Sequence, residues 1–120
     1  MKIIINSEFP SLNQIITAAK KSPYAYAEMK NTYTNLVFYN CIKYPKMLGK
    51  VDIKIHWVRK YRNTDPDNIC GGGQKFILDG LVKAGIIKDD SMKYINRIEH
   101  TFAVDKKNPR TEIKILKAGN

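Results

Sequence analysis

Val51-Asp52-Ile53-Lys54-Ile55-His56-Trp57-Val58 alternates, with Val51, Ile53, Ile55 and Trp57 on one side and Asp52, Lys54, His56 and Val58 on the other. A period of two belongs to a β-strand whose faces see different surroundings. This stretch predicts a half-buried strand, and the chain is therefore built on a sheet. N-terminal to it, Met29, Tyr33, Leu36, Val37, Cys41 and Tyr44 recur at steps of three and four. That spacing predicts a long amphipathic helix from Tyr24 to Tyr44, lying on the sheet and ended by Pro45. Ser11 suits the N-cap of an earlier helix reaching about Lys20 and interrupted at Ser22-Pro23. Residues 2–6 read as a short buried strand, broken by Glu8-Phe9-Pro10.

C-terminal to the alternating stretch, Gly71-Gly72-Gly73 reads as a flexible hinge before a helix from about Lys75 to Ala84, with Gly85 as its C′ residue. Ile86 to Ser91 forms a turn. Two strand-like runs follow, Tyr94 to Val104 and Thr111 to Leu116, joined by a turn at Lys106-Lys107-Asn108-Pro109. No repeat, low-complexity tract or linker divides the chain. The expectation is a single domain over residues 1–120, of the α/β (α+β) class, with a mixed, largely antiparallel sheet and helices packed on one face.

Composition narrows the partners. With 120 residues, 43% of them hydrophobic, the chain can form a core without disulfides or a structural metal, so Cys41 and Cys70 are expected as reduced thiols. The N-terminal apolar run, Ile3-Ile4-Ile5, is far too short for a signal h-region or a membrane span. No membrane partner and a cytoplasmic location are expected. Lys and Arg number 21 against 11 Asp and Glu, a net charge of +10, which suits a polyanionic partner. The basic residues are scattered over strand-like and loop-like segments rather than along one amphipathic helix, and this favours nucleic acid over an anionic membrane.

Against that background, residues 65–90 carry Asp65, Asp67, Asp79, Asp89 and Asp90 but only Lys75, Lys83 and Lys88, a local balance of −2. Negative charge within a polyanion-binding protein is readily accounted for when a divalent cation stands between carboxylate and phosphate. Mg²⁺ takes one or two carboxylates and completes its octahedron with water and phosphate oxygens. In an extended segment, Asp65 and Asp67 project to the same side, and Pro66 keeps Asp65 out of the helical region. The plainer alternative is a solvated turn in which Asp67 or Asn68 caps the next helix. Lys75 and Asp79 stand four apart, as a surface ion pair or as a phosphate-reaching lysine at a helix start. His56 and His100 read as packed or hydrogen-bonded residues, and Trp57 as core.

The string Arg59-Lys60-Tyr61-Arg62-Asn63-Thr64-Asp65-Pro66-Asp67-Asn68, then Lys75-Phe76-Ile77-Leu78-Asp79-Gly80-Leu81, then Gly85-Ile86-Ile87-Lys88-Asp89-Asp90, resembles the RusA family of Holliday junction resolvases of bacteria and phages. The ordered set DxDN, KxxxDxL and DD covers about thirty residues, and the longer gap from Asn68 to Lys75 is consistent with a phage-type branch. The resemblance implies a homodimeric, Mg²⁺-dependent endodeoxyribonuclease, with Mn²⁺ able to substitute, that resolves four-way DNA junctions by paired symmetric incisions in a bacterial cell or phage-infected host. It implies Asp65, Asp67 and Asp90 as metal-binding and catalytic carboxylates and Lys75 as a catalytic lysine, with Asp79, Asp89 and Asn68 in support. Residues 43–62, at +6, supply the expected DNA contacts: Arg59, Lys60, Arg62, Lys54 and Lys50. Two alternatives stand beside it, a non-catalytic nucleic-acid-binding protein and an Mg²⁺-dependent nuclease for other branched DNA.

Overall fold

A computed structural model describes residues 1–119; Asn120, the last residue of the expected domain, lies outside them. Helix starts follow the local chemistry. Ser11 and Gln14 form a reciprocal capping box at the head of α1 (Leu12–Lys21), the Ser11 Oγ accepting from the Gln14 amide while the Gln14 side chain accepts from the Ser11 amide. Ser22 then caps α2 (Pro23–Cys41), and Pro23 occupies a first-turn position where no amide is needed. α2 stops at Cys41 rather than Tyr44, because the chain there folds into a turn, Tyr44 donating to the Cys41 carbonyl.

The sheet has the order β1-β4-β2-β3, formed by β1 (Lys2–Ile5), β2 (Val51–Arg59), β3 (Ile95–Val104) and β4 (Arg110–Lys117). β4 runs antiparallel to both β1 and β2, and β3 runs parallel to β2. The mixed, mostly antiparallel α+β arrangement is the one expected. The alternation in β2 holds as far as Trp57, with Val51, Ile53, Ile55 and Trp57 buried beside Ile3, Ile5, Ile113 and Ile115, and fails at Val58, which is buried as well. The opposite face carries ion pairs, among them Lys54 with Glu99 and Lys2 with Glu112. A parallel pair needs a crossover, and α3 (Pro66–Lys83) supplies it.

That helix corrects the glycine reading. Gly71-Gly72-Gly73 is not a hinge before a helix at Lys75; it lies inside one helix beginning at Pro66. Gly72 and Gly73 are buried against the sheet and the loop before α1. A Cβ on Gly73 would come 2.6 Å from Trp57 Cζ3, and one on Gly72 would strike the Pro10 carbonyl. Gly80 makes the same close approach to Val37 of α2. These glycines let three elements pack nearer to α3 than any side chain allows. Trp57, wholly buried, donates its indole N–H to His100 Nδ1 at 2.9 Å. His56 meets the Thr101 hydroxyl at 2.6 Å, so both histidines have partners.

α3 ends as expected. Gly85 adopts φ +76° at C′, its amide reaching the Val82 carbonyl while the Ile86 amide reaches Leu81, the paired bonds of a Schellman motif.

Opposite outcomes are expected for neighbouring glycines. Gly71 faces outward, with Leu12 Cδ2 3.4 Å from a Cβ there, so Gly71→Ala should stabilise by about 0.5–1 kcal/mol through helix propensity. Gly73→Ala should destabilise by about 1–3 kcal/mol through overpacking against Trp57. Denaturant midpoints of the two variants check this; equal and small effects would restore the hinge.

Candidate functional site

One face of α3 is given to close packing, and the other carries Asp67 and Lys75 beside the partly buried Leu78 and Val82. Positions 67, 71, 75, 78 and 82 recur at steps of four and three, so they form a stripe along the helix opposite Gly73, Phe76 and Gly80. Midway along it, Cys70, Gly71, Gln74, Lys75, Leu78 and Asp79 line an open depression of about 390 Å³. Asp90, from the turn after the helix, completes its wall. The Schellman end of α3 reverses the chain and Ser91 organises the turn beyond it, its carbonyl accepting the amides of Tyr94 and Ile95. The structure thus brings together Lys75, Asp79 and Asp90, which lie up to fifteen residues apart in sequence.

Asp65 and Asp67 are placed differently from the extended arrangement. Asp65 is the N-cap residue of α3 but makes no side-chain cap hydrogen bond, and Asp67 already lies in the first helical turn. Their carboxylates therefore do not project together as in a strand. Asp67 lies on this stripe, close enough to Cys70 for its charge to raise that thiol's pKa. No hydrogen bond or ion pair among the described residues engages the side chains of Asp65, Asp67, Asp89 or Asp90. Asn68 has a structural partner instead, its Oδ1 accepting the Asn13 amide at 3.0 Å and tying α1 to α3. The Lys75 ammonium stands 3.9 Å from Asp79, a loose pair with the lysine side chain 55% exposed.

Among the described residues, no three of His, Cys, Asp and Glu are grouped closely enough to hold a metal ion. Asp65, Asp67 and Asp90 are not gathered into a single three-carboxylate cluster. The donor set in the depression is instead two carboxylates, Asp79 and Asp90, with open space between α3 and the turn. Hard oxygen donors in that number suit Mg²⁺, which keeps several water ligands.

The expected DNA contacts fall on separate surfaces. Arg59 is fastened inside the fold, its guanidinium donating to the Phe9 carbonyl at 3.0 Å and lying 3.5 Å from Glu8, with the side chain 13% exposed. Lys60 and Arg62 are exposed in the following loop, and Arg62 lines a depression of about 470 Å³ with Tyr61, Pro66, Ile69 and Phe102. Lys54 lies on the open face of the sheet beside Glu99. Lys50 is exposed just before β2, at the end of that strand away from Arg59.

Gln74, Cys70 and Leu78 share the depression without having been singled out in the sequence. Reading 66–83 as one helix places Cys70, Gln74 and Leu78 four apart, directly beside Lys75 and Asp79. No helix is long and apolar enough to cross a membrane among the described residues.

Cysteine chemistry tests this geometry. Burial pushes the Cys41 thiol up to about 11, and Cys41 is fully enclosed. Cys70 is partly exposed; burial raises its pKa first, its own amide lowers it, and the Asp67 charge raises it. At pH 8 a maleimide should label Cys70 and spare Cys41. Asp67→Asn should speed that labelling about twofold, since removing the negative charge favours the thiolate; an unchanged rate would place Asp67 away from the depression. In comparison with known proteins, the chain matches no family model and no curated sequence.

Proposed function

We propose that this protein is an Mg²⁺-dependent, structure-specific endodeoxyribonuclease that resolves four-way DNA junctions by paired symmetric incisions. One observation carries the reading: Lys75, Asp79 and Asp90 line a single open depression, Asp90 having no internal partner, on a chain of net charge +10. Exposed carboxylates without hydrogen bonds do little for the fold. Their value is to a ligand.

The residues divide the work of phosphodiester hydrolysis. Asp90 and Asp79, the two carboxylates of the depression, would hold Mg²⁺. When bound, the ion would polarise a non-bridging oxygen and lower the pKa of a coordinated water. The Lys75 ammonium, only loosely held by Asp79, swings to the phosphate and neutralises the charge that builds on its oxygens. Lys60 and Arg62 track the DNA backbone beyond the N-terminus of α3, and Arg59 holds the strand end from which their loop departs. Shape rather than base edges selects the substrate, since no segment of the sequence resembles a recognition helix.

Two symmetric cuts require two active sites, and the chain has one set of carboxylates and no internal repeat. A closed C2 homodimer matches the two-fold axis of the junction. β3 offers a ten-residue edge with no partner strand among the described residues, a surface that pairing with a second copy would cover. Sedimentation should give about twice 13.8 kDa at micromolar concentration; a monomer active far below any dimerisation constant overturns this part.

One observation favours the non-catalytic reading, the position of Asp67 in the first turn of α3, where a negative charge is favourable to the helix dipole. Cleavage assays separate the two readings. With Mg²⁺ and a synthetic junction, Asp90→Asn and Lys75→Ala should each lower single-turnover cleavage by about 10² or more. Junction affinity should be retained or increased in Asp90→Asn, since repulsion of phosphate is lost. Wild-type-like cleavage in Asp90→Asn would overturn the assignment of Asp90, and no metal-dependent cleavage by the wild type would leave the binding-only reading. Flap and fork substrates run in parallel distinguish a junction resolvase from a nuclease for other branched DNA.

A further inference from the structure

A second depression adjoins the first along the same stripe of α3. Val82, one turn beyond Leu78, is part of its wall, and the four-residue step advances about 6 Å along the helix axis. The other walls are the loop before β2, with Lys46, Leu48 and Gly49, and the turn after α3, with Lys88 and Tyr94. Its volume is about 420 Å³, and no acidic side chain lines it. Gly85, Ile87 and Lys88 line this depression, and Asp90, two residues beyond Lys88, lines the first beside Asp79.

Three features mark it as built for an anion with an apolar body. Tyr94 is half-buried and anchored at both ends of its backbone, its amide donating to Ser91 and its carbonyl accepting from Val51. The ammonium groups of Lys88 and Lys93 lie 5.9 and 5.6 Å from its ring centroid. Lys46 is laid across Gly85, whose missing side chain leaves room for it: a Cβ there would be 3.1 Å from Lys46 Cε. Neither Lys46, Lys88 nor Lys93 has an acidic partner among the described residues. Leu48, 86% exposed, adds an apolar rim.

We propose that this depression is a subsite for one nucleotide of single-stranded DNA, next to the scissile phosphate, with Tyr94 stacking its base and Lys46 and Lys88 holding its phosphates. The proposal rests on the nuclease reading and specifies how that site engages its strand. Aromatic platforms flanked by lysines are what unpaired strands use, since every base has a π-face and every linkage a negative charge. An intact duplex keeps its base faces covered, so occupancy requires a base that a branch point or frayed end leaves unstacked. Charge complementarity favours this occupant, as does the nearness of the carboxylate depression, whose Leu78 and Asp90 stand four and two residues from Val82 and Lys88 here.

The test compares wild type with Tyr94→Phe, Tyr94→Ala and the double variant Lys46→Ala/Lys88→Ala, each shown folded by circular dichroism and thermal melting. Fluorescence anisotropy is read with a labelled oligo(dT) and with a four-way junction, in Ca²⁺ so that neither probe is hydrolysed. Tyr94→Phe keeps the ring and should bind both probes as wild type does. Tyr94→Ala should bind oligo(dT) about tenfold more weakly. The double lysine variant should lower the log–log salt slope by about one to two. Wild-type affinity for oligo(dT) in Tyr94→Ala, or equal losses in Tyr94→Phe and Tyr94→Ala, overturns the subsite. Cleavage is then read with Mg²⁺ in place of Ca²⁺: if the wild type cleaves the junction while Tyr94→Ala binds and cleaves equally well, the subsite alone fails. If the wild type neither binds nor cleaves either probe, the nuclease reading fails with it.

Discussion

The close approach of α3 to the sheet is the constraint on which the rest of the structure depends. Glycine is a poor helix residue, each one costing about 1 kcal/mol relative to alanine, and α3 contains Gly71, Gly72, Gly73 and Gly80 within eighteen residues. The helix forms because three of them are where neighbouring elements touch its backbone: Pro10 at Gly72, Trp57 at Gly73 and Val37 at Gly80. Trp57, buried completely by this contact, is the largest side chain in the core. Burying an aromatic of that size contributes several kcal/mol, enough to offset the weak helical preference.

Seating one face so tightly fixes what the other face presents. Gly73, Phe76 and Gly80 turn toward the core, and a helix with that face fixed has no freedom to rotate. Asp67, Lys75 and Leu78 are thereby held on the solvent side, with Asp79 beside them. The Schellman turn at Gly85 and the Ser91 turn then return the chain, bringing Asp90 beside Lys75 and sending Tyr94 into the start of β3. The candidate site is therefore a product of core packing, although none of its charged residues is buried.

Legibility in the sequence followed the range of the interactions. The period of β2, the N-cap of Ser11 and the C′ role of Gly85 depend on residues a few positions apart, and each was readable. The glycine run was not, because its conformation is decided by Trp57, Phe9 and Pro10, which are more than ten residues away in the chain. Local propensity favours a hinge there, and tertiary contact overrides it. The same error displaced Asp67, read as extended when it is helical. Lys75 and Asp79 were legible from their spacing, whereas the depression they share with Cys70 and Gln74 required the helix to begin at Pro66. Arg59 read as a free basic residue because Glu8 and Phe9, which fasten it, are some fifty residues distant.

Charge along α3 gives the surface a graded character. Asp67 lies in its first turn, Asp79 and Asp90 line the depression on its flank, and Lys46 and Lys88 line the one past its C-terminal end. For exposed groups in water the interaction of two unit charges at 4 Å is about 1 kcal/mol, so neither patch dominates the fold, but both act on a polyanion. A strand lying here is attracted at the lysines and repelled at the carboxylates, unless positive charge intervenes. Lys75 can supply part of that charge because its pairing with Asp79 is loose, at 3.9 Å. On the proposed reading, the lysines contribute affinity whether or not the repulsion is relieved, and the carboxylates make binding at their own position conditional on a cation. Affinity then falls, on that reading, to the lysines around the turn after α3 and cation-dependent chemistry to the carboxylates beside the helix, which the glycine seam behind it holds in fixed register.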